Sequence, residues 1–299
     1  MKLMALLCII TANVLGGISY LWQDLALDGL PPATLGAGRT LVGVVCLGTL
    51  LLATGGIRLR FPPRDFLRLL TVGVLAFGLP LWLGIEGVQR SSAGNAAILI
   101  LLEPVSILVL SRVLLGERIR GIQAVGIAAG LVGALCIVLE DAPWQELFRD
   151  RHFHGNLILA AHGVLWGLYS PLVKPLAVRY RSRDITFAVM FLSLLVLVPA
   201  ALLEARAGLW QSGPDLSRSL VWMGVLGVTV SFGATFLWNT SLRHLMAFTV
   251  GAFVFLQPVT GVLADYVVQD VRPSGAGLVG CGIIGVGVLL VLLPLRQRT

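Results

Sequence analysis

Leu102-Glu103-Pro104-Val105 places a carboxylate and a proline in the middle of an apolar run, and the chain returns to the pattern as Leu256-Gln257-Pro258-Val259. The offset is 154 residues, residue 256 against residue 102. Under the same offset Arg118 meets Arg272, Gly121 meets Gly275, Gly126 meets Gly280 and Gly133 meets Gly287. A correspondence of this length means that one architecture is carried twice.

Outward from these two motifs, each sits in an apolar stretch of about 20 residues, the length that crosses the hydrocarbon core as a helix. Candidate spans fall at about 3–22, 33–55, 67–87, 93–114 and 122–140, then at about 155–175, 185–204, 218–239, 247–268 and 274–294. Charged or turn-forming residues separate them: Pro31-Pro32, the stretch from Arg58 to Arg64, Gly116-Glu117-Arg118, the stretch from Arg179 to Asp184, and that from Gln269 to Pro273. The expectation is an all-α integral membrane protein with ten transmembrane helices. Equivalent motifs are five spans apart, and five is odd, so the two halves run in opposite directions. Residues 1–140 and 155–299 then form two inverted five-helix repeats joined by an external connector, 141–154. Trp144, Leu147 and Phe148 stand among charges in that connector, as in an interfacial loop or short amphipathic helix. Inverted repeats of this kind hold their sites near the midplane, at the repeat interface.

Composition agrees. Hydrophobic residues make up 57% of the 299, and charged residues 12%, about half the share of a soluble domain. That leaves too little polar surface for a particle in water, and a lipid bilayer is the natural partner. The net charge of +7 would suggest nucleic acid in a soluble protein. Here the Lys and Arg side chains occupy short loops, where they orient helices, so no nucleic-acid partner is expected. With the N-terminus inside, fifteen of the 22 fall on the cytoplasmic side and six outside, and Arg39 alone lies within a span. Both termini are therefore placed in the cytoplasm, in the cell (inner) membrane. The apolar start reads as a first helix rather than a signal peptide, because it runs on to Trp22 without a small-residue cleavage pattern. Cys8, Cys46, Cys136 and Cys281 lie inside apolar stretches with no metal or disulfide spacing.

Glu103 is the first candidate for function. It falls at mid-depth, where an ionised carboxylate costs several kcal/mol and is usually functional. It should be neutral unless water or a cation reaches it, which suits either reversible protonation coupled to transport or pairing with a substrate ammonium. Its counterpart Gln257 cannot titrate, so such a group exists on one side only. Pro104 and Pro258 each remove a backbone donor, freeing the carbonyls of Ile100 and Val254, and their symmetric placement suggests hinges. Arg39 could bind a substrate carboxylate or phosphate, or pair with Glu103. His162, Trp166 and Tyr169 follow i, i+4, i+7 spacing and share a helix face, as do Asn13, Gly17 and Tyr20. Trp82 and Trp238 are further candidates for a cavity that binds an amphipathic metabolite.

The chain resembles the drug/metabolite transporter superfamily, EamA-type. The residues that carry the likeness are Gly36-Ala37-Gly38-Arg39-Thr40-Leu41, the run from Gly87 to Ala97, Glu103-Pro104 and Leu115-Gly116-Glu117-Arg118. In the second half they are Trp166-Gly167, Leu237-Trp238-Asn239-Thr240-Ser241-Leu242-Arg243 and Gln257-Pro258. Gly16-Gly17 stands where the family often has Trp-Gly, and Gln269-Asp270-Val271-Arg272 replaces the second Gly-Glu-Arg turn. The resemblance implies a structural role for Arg39, since the family carries an arginine there across different substrates. It also implies a secondary transporter, a monomer or homodimer that exports amino acids, related metabolites or drugs. The alternatives are an uptake carrier for a sugar, nucleotide or vitamin precursor, and, from another class, an integral-membrane lipid-modifying enzyme. The chain has no phosphate-binding G-x-x-x-x-G-K-[ST] loop and no H-E-x-x-H or G-x-S-x-G motif. No cofactor or metal is expected, and the chain reads as no enzyme.

Overall fold

The computed structural model describes residues 1–55, 60–141, 145, 147, 149–208, 216–269 and 274–293. Among them no strand occurs, and ten helices are long and apolar enough to cross a membrane. They are α1 (Lys2–Leu27), α2 (Pro32–Ala53), α3 (Pro63–Arg90), α4 (Gly94–Leu115), α5 (Gly121–Leu139), α6 (Phe153–Arg179), α7 (Ser182–Arg206), α8 (Leu216–His244), α9 (Ala247–Ala264) and α10 (Gly275–Leu292). Several outrun the spans expected from sequence, because polar first and last turns continue the helix past its apolar stretch. Trp144, Phe148, Arg58, Arg272, Arg296 and Arg298 lie outside the described residues, so the part of the connector that carries its aromatics is not described. Its end is a short turn at Asp150–His152 leading into α6.

Local chemistry sets the ends. Pro32 and Pro63 open α2 and α3, where a missing N–H is no loss. Gly116 closes α4 in the left-handed region at φ 66°, which a side chain would disfavour. Ser274 caps α10 by accepting from the Gly277 N–H at 2.9 Å.

Several helices are not regular. α3 is π-helical over Val72–Gly78 and α8 over Gly227–Ala234. α4 breaks between Leu99 and Leu102, and α9 tightens to a 3-10 turn at Phe253–Phe255. α6 is interrupted at Leu168. At the break in α4 the Glu103 N–H donates to the Ile100 carbonyl at 2.9 Å. The carbonyl expected to be freed by Pro104 is thus taken up in a tightened turn rather than offered to a cavity.

Lipid supplies no hydrophobic force between helices, so close backbone approach and polar contacts hold the bundle. The tightest seam joins α5 to α10. A Cβ on Gly126 would lie 2.6 Å from the Gly287 carbonyl oxygen, and one on Gly133 would lie 2.7 Å from that of Gly280. α2 packs on α7, α4 on α9, α1 on α8 and α9, and α3 and α4 on α6. Exchanging α1 with α6, α2 with α7, α3 with α8, α4 with α9 and α5 with α10 returns these same pairings. One feature departs from that regularity. The second half of α6 also packs on the end of α8 and the start of α9, whereas α1 has no comparable packing on α3 or α4 among the described residues.

Candidate substrate site

Glu103 stands at the break in α4 and is 4% exposed. Its carboxylate makes no hydrogen bond or ion pair among the described residues. An ionised carboxylate buried without a partner is strongly unfavourable, so this group is either neutral or answered by something other than the described residues. Its electrostatic neighbour is the Tyr20 phenol of α1, whose hydroxyl donates to Gln257 Oε1 on α9 at 3.0 Å. Gln257 Nε2 donates in turn to Asn13 Oδ1 at 3.1 Å, and Asn13 Nδ2 to the Ile9 carbonyl at 2.8 Å.

Gly16 and Gly17 make this junction of α1 and α9 possible. A Cβ on Gly17 would sit 2.6 Å from the Gln257 carbonyl oxygen and collide with Thr260 Oγ1, and one on Gly16 would lie 3.2 Å from Gln257 Nε2. A tryptophan here, as the family often carries, would push α9 away from α1.

Arg39 is buried at 5% exposure. Nε donates to Ser231 Oγ at 3.1 Å and Nη1 to Gln23 Oε1 at 3.3 Å. Both partners are neutral, and Glu103 is not among them. Gln23 follows Tyr20 by three residues, so one face of α1 meets both the carboxylate and the guanidinium.

His162 and Trp166 lie side by side with ring centroids 5.8 Å apart, and Trp166 stacks on Phe77 of α3 at 5.5 Å. His162 Nδ1 is 2.7 Å from the Pro80 carbonyl oxygen, which can only accept, so that nitrogen carries the proton. The Tyr169 ring also meets Phe77, at 5.9 Å between centroids. Its hydroxyl donates to Asn239 Oδ1 at 3.0 Å, and Asn239 Nδ2 donates to Thr186 Oγ1 at 2.9 Å, a buried chain linking α6, α8 and α7. Trp238 Nε1 donates to Ser170 Oγ at 3.0 Å. Trp82 borders a separate cleft of about 260 Å³ among the ends of α2, α3 and α7, with Glu86 and Gln89; Glu86 there pairs with Arg90 at 2.6 Å.

The structure therefore brings Glu103, Tyr20, Gln257 and Asn13 together, and His162 with Trp166. Tyr169 joins the second group through Phe77, while Trp238 and Trp82 are engaged elsewhere. Phe77, Gln23 and Ser231 were not foreseen. Gln23 alone had a signal, its i, i+3 spacing from Tyr20.

Ten helices long and apolar enough to cross a membrane, with a buried carboxylate in the fourth, describe a polytopic membrane protein. The chain belongs to the EamA-like transporter family, whose model matches residues 3–139 and again 153–293. It is 28% identical over 268 residues to a probable terminal-alkyne amino-acid exporter of Streptantibioticus cattleyicolor, covering 89% of this chain and 85% of that one. It is 25% identical over 214 residues, 71% of each chain, to the aromatic amino acid exporter YddG of Ancylobacter novellus. It also resembles a probable amino-acid metabolite efflux pump of Escherichia coli, 22% identical over 214 residues and 69% of each chain. A solved crystal structure shares the fold, with a TM-score of 0.77 and 23% identity over 96% of this chain and 97% of its own. The chain is a multi-pass membrane transporter.

Proposed function

We propose that this transporter exports a small amino-acid-like metabolite across the cell membrane by alternating access, with Glu103 meeting the substrate's ammonium group. The observation that carries the reading is the isolation of Glu103. It is buried at mid-span, has no protein counter-ion among the described residues, and has as its electrostatic neighbour the Tyr20 phenol, which donates to Gln257 and could orient a polar guest. A cationic group supplies what that carboxylate lacks. The names of the relatives support the amino-acid class and the outward direction.

The architecture we assign is two inverted five-helix repeats, with both termini cytoplasmic and residues 141–154 outside. Support comes from the 154-residue offset, from the family model matching twice, and from helix pairings that survive exchange of the two halves. The distribution of Lys and Arg supports the orientation.

The test is counterflow of radiolabelled amino acids in liposomes, comparing the parent with Glu103→Gln. Loss of an ion pair in a dry site should weaken substrate binding by about tenfold to a hundredfold. Retained exchange with loss of pH-driven accumulation would instead make Glu103 a proton carrier. A variant that binds, exchanges and responds to pH like the parent would leave Glu103 a structural residue and end the proposal.

A further inference from the structure

The connection between α8 and α9 is pinned by charged side chains from elsewhere in the chain. Lys174, near the end of α6, donates from Nζ to the carbonyl oxygens of Leu242 and Leu245, each at 2.6 Å. Glu117, in the turn between α4 and α5, accepts from the N–H groups of Ala247 at 2.8 Å and Phe248 at 3.1 Å. These are last acceptors of one helix and first donors of the next, groups that helices leave unsatisfied. The ammonium and the carboxylate also attract each other across the junction. Ser241 adds a bond to the Ala5 carbonyl at 2.8 Å, tying in the start of α1.

The 154-residue offset pairs Lys174 with Tyr20, Glu117 with Val271, and Leu242 and Leu245 with Val88 and Ser91. Tyr20 does not reach the α3–α4 connection. Its hydroxyl rests on Gln257, and the residue is 46% exposed. The α3–α4 connection is held from its other flank, by Ser91 Oγ donating to Asn156 Oδ1 at the start of α6. So α6 has closed over one connection while α1 stands back from the other, the departure from regular packing described above.

We propose that Lys174 and Glu117 form a latch holding the α8–α9 end of the pathway shut, and that Tyr20 is its counterpart. When the latch opens, Tyr20 leaves Gln257 and closes on a backbone carbonyl of the α3–α4 connection, that of Val88 or Ser91. This rests on the repeat architecture of the proposed function. Two chemical consequences follow. A phenol has one O–H, so Tyr20 donates either to Gln257 or to the α3–α4 connection and not to both. A guest that engages Gln257 therefore releases Tyr20 to close the end opposite the latch. The latch is also stronger than its counterpart, because its bonds are charge-assisted and Val271 offers no side-chain acceptor in place of Glu117. The chain accordingly rests with the α8–α9 end shut.

The test is a pair of spin-label distances in detergent without substrate, after replacing the four native cysteines by Ala. Arg120→Cys with Arg243→Cys reports on the latched end, and Asp24→Cys with Gln89→Cys on the other. Lys174→Met and the isosteric Glu117→Gln should each raise the ratio of wide to narrow distances at the latched end by about tenfold or more. A shorter distance should appear at the other end in the same variants, and adding Tyr20→Phe should abolish it. Lys174→Arg, which keeps charge and donors, should stay narrow. If Glu117→Gln and Lys174→Met are monodisperse with the parent's distances, these side chains are only helix caps and the latch is refuted. Shortening that survives Tyr20→Phe would remove Tyr20 from its role. No substrate enters the measurement, so its failure is distinct from failure of the transport reading.

Discussion

Two single methyl groups placed on the α5–α10 pair should have opposite effects on stability. A Cβ on Gly133 would lie 2.7 Å from the carbonyl oxygen of Gly280, and one on Gly280 2.7 Å from that of Gly133. Ordinary contact begins more than half an ångström further out, and backbone cannot swing aside as a flexible side chain can. Gly133→Ala must part the helices along their closest seam, an overpacking cost of about 1–3 kcal/mol. Gly285, on the lipid-facing side of α10, has nothing within 4 Å of its Cβ position. Gly285→Ala should therefore gain about 0.5–1 kcal/mol from the better helix former. The two variants should differ by about 1.5–4 kcal/mol, read as midpoints of unfolding in detergent. Gly133→Ala with Gly280→Ala should cost less than the sum, because both methyl groups use the same parting of the helices. If Gly133→Ala unfolds like the parent, or Gly285→Ala falls as far as Gly133→Ala, the seam is not what holds α5 to α10.

For orientation, single cysteines at Gln145 and Arg181 should label from opposite faces of intact cells, and labelling from the same face would overturn the inverted arrangement. Trp166→Ala should weaken ligand binding more than it lowers the thermal midpoint, since Trp166 is only partly buried and stacks on Phe77. A fall in stability with affinity unchanged would make that aromatic face simple packing. Tyr169→Phe should do the reverse, losing about 1–3 kcal/mol of stability by leaving Asn239 Oδ1 without its donor, with Kd unchanged.

Ten spans were legible because apolar length alone marks a helix in lipid. The interruptions were not. A helix apolar on every side carries no periodic signal, so nothing in Val72–Gly78 or Gly227–Ala234 announces a π-helical stretch. Glu103, Gln257, Asn13 and Tyr20 could be singled out because polar groups are rare and expensive at mid-depth. The bond between Tyr20 and Gln257 could not, since it joins residues 237 positions apart. Tyr169 was legible only in part. Spacing from Trp166 put it on the same stripe, and both rings meet Phe77, but the bond from its hydroxyl to Asn239 left no signal. Lys174 was visible only as an orienting charge and Glu117 only as part of a Gly-Glu-Arg turn, because backbone acceptors and donors leave no trace in the sequence of the residues that bear them.

The π-helical stretches change how any positional scan of α3 or α8 must be interpreted. Gly73 and Gly78 are five residues apart, which a regular α-helix would set about 140° apart around its axis. Yet both press on α7, Gly73 against the Val189 carbonyl and Gly78 against that of Ser193. Gly227 and Phe232, again five apart, both meet α2. Reactivity plotted along α3 will rise and fall with ordinary phase from Pro63 to Thr71, slip across Val72–Gly78, and resume in a rotated phase from Leu79. A single wheel drawn through the whole helix would assign Trp82 and Glu86 to the wrong side.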